Sequence, residues 1–141
     1  VVFLAGAMRQ TRTFVKSRAW SWLLEGMGQV PFYPPNVGGW NQNESFLSTM
    51  SLQSRSSAIT YIVQAHEFDD EDVPADEKPD AALAWALKAT GYPKIRTETH
   101  AELRRIARAY VRRGDWDRHT AAARRRILRH LLLAGPDAQV H

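Results

Sequence analysis

From Ser17 to Met27 the apolar residues Ala19, Trp20, Leu23, Leu24 and Met27 recur three and four positions apart. That spacing puts them on one stripe of a helix. Gly26 and Gly28 supply its end, because glycine accepts the left-handed backbone of a C-terminal cap. Val1 to Arg9 is apolar and small, and is read as a further helix. Ser45 to Ala65 reads as a third, with Phe46, Met50, Ile59, Ile62 and Val63 on its apolar side and serines weakening its middle. Asp80 to Thr90 reads as a short helix with Asp80 as N-cap and Gly91 as stop. Thr99 opens the clearest helix: Thr99 and Glu102 have capping-box spacing, and Leu103, Ile106, Ala107, Tyr110 and Val111 form its stripe before Gly114 ends it. The last helix spans about Asp117 to Ala134, with Ala123, Ile127, Leu128, Leu131 and Leu132 inward and Gly135-Pro136 as terminator. A short turn between the last two makes them a hairpin.

Between the second and third helices, Gln29 to Glu44 is a loop. Pro31, Pro34 and Pro35 remove backbone donors, and Gly38 and Gly39 loosen the chain before Trp40. A structureless loop of this length is uncommon. Its Phe32, Tyr33, Val37 and Trp40 predict that it packs on the core through its own side chains, with Asn36 capping a turn. The fold class expected is all-α, an irregular bundle of about five to six helices with this long Pro/Gly/aromatic loop and a C-terminal hairpin. Residues 1–68 form the first part, 69–79 an acidic linker, and 80–141 the C-terminal helices packing on the first part as one domain. No internal repeat or low-complexity segment interrupts this.

Composition is that of a globular chain: 141 residues, 44% hydrophobic and 24% charged. No apolar run nears the roughly 20 residues of a membrane-spanning helix. The start, Val1-Val2-Phe3-Leu4-Ala5, has neither an initiating Met nor a basic leader. The expectation is a fragment or processed piece of a larger protein. The absence of cysteine excludes disulfides, thiolate metal sites and Cys nucleophiles.

The net charge of +4 is unevenly spread. Glu67, Asp69, Asp70, Glu71, Asp72, Asp76, Glu77 and Asp80 crowd one stretch, read as solvated linker. Residues 96–129 hold eleven arginines against Glu98, Glu102, Asp115 and Asp117. Arg104, Arg105, Arg108, Arg112 and Arg113, and Arg124, Arg125, Arg126 and Arg129 on the last helix, are placed opposite the apolar stripes. Such faces dock on phosphates, so Arg104, Arg105, Arg108, Arg112, Arg125 and Arg129 are the nucleic-acid candidates. The acidic stretch is equally able to neutralise them, and no recognised nucleic-acid module is present.

Other chemistry is sparse. His66 with Asp69 to Asp72 offers metal donors but lacks the glycine of a calcium loop and the second histidine of a zinc helix. His100, His119 and His130 have no ligand spacing among themselves. There is no nucleophile elbow and no phosphate-cradling loop. No catalytic residue, metal site or cofactor is therefore assigned.

One segment is distinctive: Gly28-Gln29, Phe32, Pro34-Pro35-Asn36-Val37 and Gly39-Trp40, followed by Leu52-Gln53-Ser54-Arg55. It resembles the signature of a bacterial family known as domain of unknown function 1800. Met8-Arg9 and the closing run from Leu131 to Val140 are similar to that family's flanking patterns. Asn41-Gln42-Asn43 and Phe46 depart from it, standing where the family has Pro-Gly-Gly and a second Trp. The resemblance implies the C-terminal part of a longer, exported protein, periplasmic or at the cell surface, and carries no activity over. Asn36, Trp40 and Arg55 are the candidate ligand contacts, with the aromatic and proline surface as pocket wall.

Three functions follow. The first is a non-catalytic helical assembly or interaction segment, with the rest of a larger parent chain or another secreted protein as partner. The second is the C-terminal part of an enzyme domain whose catalytic residues lie in a preceding portion. The third is nucleic-acid binding through the arginine faces.

Overall fold

The computed structural model describes residues 2–34, 36–39, 48–65, 73–110 and 118–138. Among them the chain is all-α, with six α-helices and one 3-10 turn. It divides into two compact units, residues 1–65 and 66–141.

The first unit holds α1 (Val2–Thr11), α2 (Ser17–Gly26) and α3 (Thr49–Ala65), and α3 packs on both α1 and α2. Leu4, Ala7 and Thr11 recur at i, i+3 and i+7 as the buried stripe of α1. The Thr11 hydroxyl donates to the Ala7 carbonyl at 2.8 Å, so a polar group is buried without loss. Leu23, Leu24 and Met27 are buried on α2, as their spacing predicts. That helix ends in a Schellman motif, with Gln29 N–H on the Leu24 carbonyl at 2.8 Å and Gly28 N–H on that of Glu25 at 2.9 Å. Gly28 takes φ +65°, the left-handed conformation the motif requires. In α3, Ser51, Arg55, Ala58, Ile59, Ile62 and Val63 form the buried stripe.

Two expectations are corrected here. α3 begins at Thr49, because the Ser48 hydroxyl accepts from Ser51 N–H at 3.3 Å and caps it. Met50 lies 77% exposed, off the stripe; Phe46 lies outside the described residues.

The second unit is a three-helix cluster of α4 (Pro79–Ala89), α5 (Thr97–Tyr110) and α6 (Arg118–Ala134), each packed on the other two. Ala82, Leu83 and Ala86 meet Leu103, Ala107, Leu128 and Leu132 in its core. Pro79, not Asp80, opens α4: proline fits the first helical position, where no N–H bond is lost. Asp80 is drawn instead to α5, with Arg104 Nε at 3.0 Å and an Arg108 Nη at 3.3 Å. α5 starts two residues before Thr99, and the Thr99–Glu102 capping box gives way to a Glu102–Arg105 pair.

The inward face of α6 is turned from the one expected. Ala121, Ala122, Leu128, Leu132 and Leu133 are buried, whereas Ala123, Ile127 and Leu131 are half-buried. No described side chain from 120 to 134 is exposed. From 120 to 134 the helix is at least partly covered all round, so its apolar stripe alone does not set its orientation.

Candidate functional site

The Pro/Gly/aromatic loop lies in the first unit. Phe32 is 97% exposed, Tyr33 78%, and Val37 is fully in solvent. The expectation that these side chains pack into a core is therefore corrected for Phe32, Tyr33 and Val37. The three helices bury the apolar side chains of that core from their own stripes, while local turns hold the loop. Tyr33 N–H donates to the Val30 carbonyl at 3.2 Å, and Gly39 N–H to that of Asn36 at 3.1 Å. Asn36 Oδ1 accepts from Gly38 N–H at 2.8 Å, the Asx turn its side chain favours. Trp40 lies outside the described residues.

Arg55 sits on the buried face of α3, 5% exposed, with its guanidinium 5.2 Å from the Phe3 ring centroid of α1. That is cation–π range. Burial lowers its pKa from the ordinary arginine value. Asn36 thus spends its oxygen on its own turn, and Arg55 holds two helices together.

The arginine residues separate into three groups. Arg104 and Arg108 share Asp80, and Arg105 pairs with Glu102 at 2.8 Å, all on the exposed side of α5. Desolvation pushes the Asp80 carboxyl up, but the hydrogen bonds and charges of Arg108 and Arg104 outweigh it and hold it below the usual carboxylate range. Arg96 anchors Asp137, its Nε at 2.8 Å and its backbone N–H at 3.1 Å. Arg112 and Arg113 lie outside the described residues.

On α6 the placement opposite the apolar stripe is corrected. Arg124 is 1% exposed and Arg129 2%. Burial pushes the Arg129 pKa down to about 10. Glu77, a member of the stretch expected to be solvated, is buried with them. Its carboxylate accepts from Arg124 at 3.1 Å and from Arg125 Nε at 2.7 Å, and its carbonyl accepts from Arg124 as well. Arg125 also lies 4.6 Å over the Trp85 ring. Val73 is buried with Ala121 and Ala122. The physical reason is mutual: a buried charge needs an opposite partner, and Glu77 supplies it to Arg124 and Arg125 as they do to Glu77.

A groove in the first unit was missed. Trp22, Glu25 and Gly26 of α2 face Gln53, Ser54 and Ser57 of α3 around about 370 Å³. Trp22 falls off the apolar stripe of α2 and is 60% exposed. A tryptophan on a polar helix face is the signal by which sequence reading finds this groove.

Among the described residues no group of three His, Asp or Glu gathers to hold a metal, and no helix is long and apolar enough to cross a membrane. The acidic run His66 to Asp72 lies outside the described residues.

The model of the family described as "Protein of unknown function (DUF1800)" matches residues 1–140. The chain belongs to this family. The match spans both units. No curated protein and no solved structure matches the chain.

Proposed function

We propose that the chain is a non-catalytic helical interaction segment of a larger exported bacterial protein, and that its contact surface is apolar. The observation that carries this reading is the set of large side chains the first unit leaves in solvent. Phe14 is 95% exposed, and Phe32, Tyr33, Val37 and Met50 are likewise mostly exposed. Single exposed apolar residues are ordinary on a protein surface, but interfaces enrich aromatics, and Phe14, Phe32 and Tyr33 are aromatic. Phe32 adds a backbone cost, since it holds φ +63° while presenting its ring to water. The partner is the rest of a longer parent chain or another secreted protein. The exported setting rests on the family resemblance.

Phosphate docking fits the second unit less well. Asp80 and Glu102 engage Arg104, Arg108 and Arg105, Glu77 engages Arg125, and Arg129 is buried.

Hydrogen–deuterium exchange compares the chain alone with the longer secreted product in its assembled form. Exchange across residues 12–16 and 29–39 is expected to slow several-fold in the assembled form, while α5 stays unchanged. Equal exchange in both states overturns the reading.

A further inference from the structure

The groove between α2 and α3 has the makings of a small-molecule site. Its floor is set by a close approach of the two helices: a Cβ at Gly26 would stand 3.3 Å from Ser54 Oγ, tighter than ordinary contact. Its size falls within the range of ligand pockets, roughly 300–1,000 Å³. Its polar side chains, the Glu25 carboxylate, the Gln53 amide and the Ser54 and Ser57 hydroxyls, are engaged by no other described residue. Beside them stands the Trp22 indole, more than half in solvent.

We propose that this groove binds a neutral saccharide, with the Trp22 ring as platform and Glu25, Gln53, Ser54 and Ser57 as the hydrogen-bonding set. A pyranose ring has an apolar C–H face that packs on an indole and an edge of hydroxyls that both donate and accept. The groove offers the matching inventory: a carboxylate that only accepts, an amide that does both, and two hydroxyls that do both. The charges argue for neutrality. An anion meets Glu25 with no cation in the lining to offset it. An organic cation meets one carboxylate within residues 1–65, where Arg9, Arg12, Lys16, Arg18 and Arg55 stand against only Glu25 and Glu44. A neutral ligand escapes both costs. The site is independent of the apolar contact surface proposed above, and either stands if the other fails.

The test uses the whole chain, titrated with neutral cello-, malto- and chito-oligosaccharides to millimolar concentration. The Trp22 indole and Gln53 amide resonances are followed by NMR. Saturable shifts of both with at least one saccharide are expected, and Trp22→Ala or Gln53→Ala weakens binding at least about tenfold. Because Trp22 and Gln53 are exposed, both variants keep the wild-type helical circular dichroism. No saturable shift with any neutral saccharide overturns the proposal. So does binding that survives Trp22→Ala, or shifts produced only by an organic cation such as tetramethylammonium.

Discussion

Replacing Glu77 with glutamine removes one negative charge from a place where two arginines converge. The Glu77 side chain is 3% exposed and that of Arg124 1%, so water is not at hand to take over the lost contacts. Arg124 keeps the Glu77 carbonyl, a dipole, in place of a full charge. Breaking a buried ion pair from one side costs about 3–5 kcal/mol, because the remaining charge stays desolvated and uncompensated. Arg125, at 12% exposure and stacked on Trp85, is less affected. In a unit of this size a loss of roughly 3 kcal/mol corresponds to a fall in Tm of more than about 10 °C. Urea unfolding of the α4–α6 amides, read by hydrogen exchange, isolates this unit from the first. Glu102→Gln, which breaks an exposed pair on α5, is the control and is expected to cost far less, because water replaces the lost contact. Replacing Glu77 and Arg124 together by leucine should restore part of the loss, since the more deeply buried Arg124 charge is then gone while Arg125 still lacks its partner. A Glu77→Gln penalty no larger than that of the control would refute the reasoning, as would a double variant worse than the single one.

Three further outcomes are expected. Burial lowers the His130 pKa, so below about 6.5 the unfolded chain takes up a proton that the folded one resists; stability therefore falls as pH drops from 6.5 toward the folded pKa. His130→Gln should remove that slope from a series of urea midpoints, and an unchanged slope would count against it. The Thr99 hydroxyl, and after it the Arg96 backbone N–H and guanidinium, hold the Asp137 carboxyl below its usual range; its contribution is present above about pH 3.8 and lost as pH falls through the folded pKa. Asp137→Asn should flatten the acid limb of the unfolding curve. Gly28→Ala places a Cβ in open space but at φ +65°, so only the left-handed backbone is penalised, by about 1–2 kcal/mol, measurable as a lower urea midpoint for the first unit.

Much of the local structure was legible in the sequence. The stripe of α2, that of α5 from Leu103 to Ala107 and the glycine ends of α2 and α4 stand where periodicity and capping put them, while Val111 and Gly114 lie outside the described residues. The turn at Asn36 followed from its own side-chain chemistry. Where two local signals compete, the sequence alone does not rank them. Asp80 looks like an N-cap until Pro79 takes the first turn and the arginines of α5 claim the carboxylate. The loop aromatics look like core residues because proline and glycine imply a tailored path. Whether the core has room for them is not a property of the loop. Trp22 shows the opposite case: it breaks the stripe of α2, and only the neighbouring helix α3 gives it a setting.

The sequence by itself determined that this chain is helical and where several of its helices stop. Those choices rest on contacts three to five residues apart, and adjacent side chains carry them. Only the tertiary structure decided which charges go inside. Glu77 finds Arg124 47 residues away, and α6 is turned so that Arg124 and Arg129 share its buried arc with leucines. A buried charge is stable only if its counter-charge arrives at the same place, and that condition is set by how α6 docks rather than by any stretch of chain read alone.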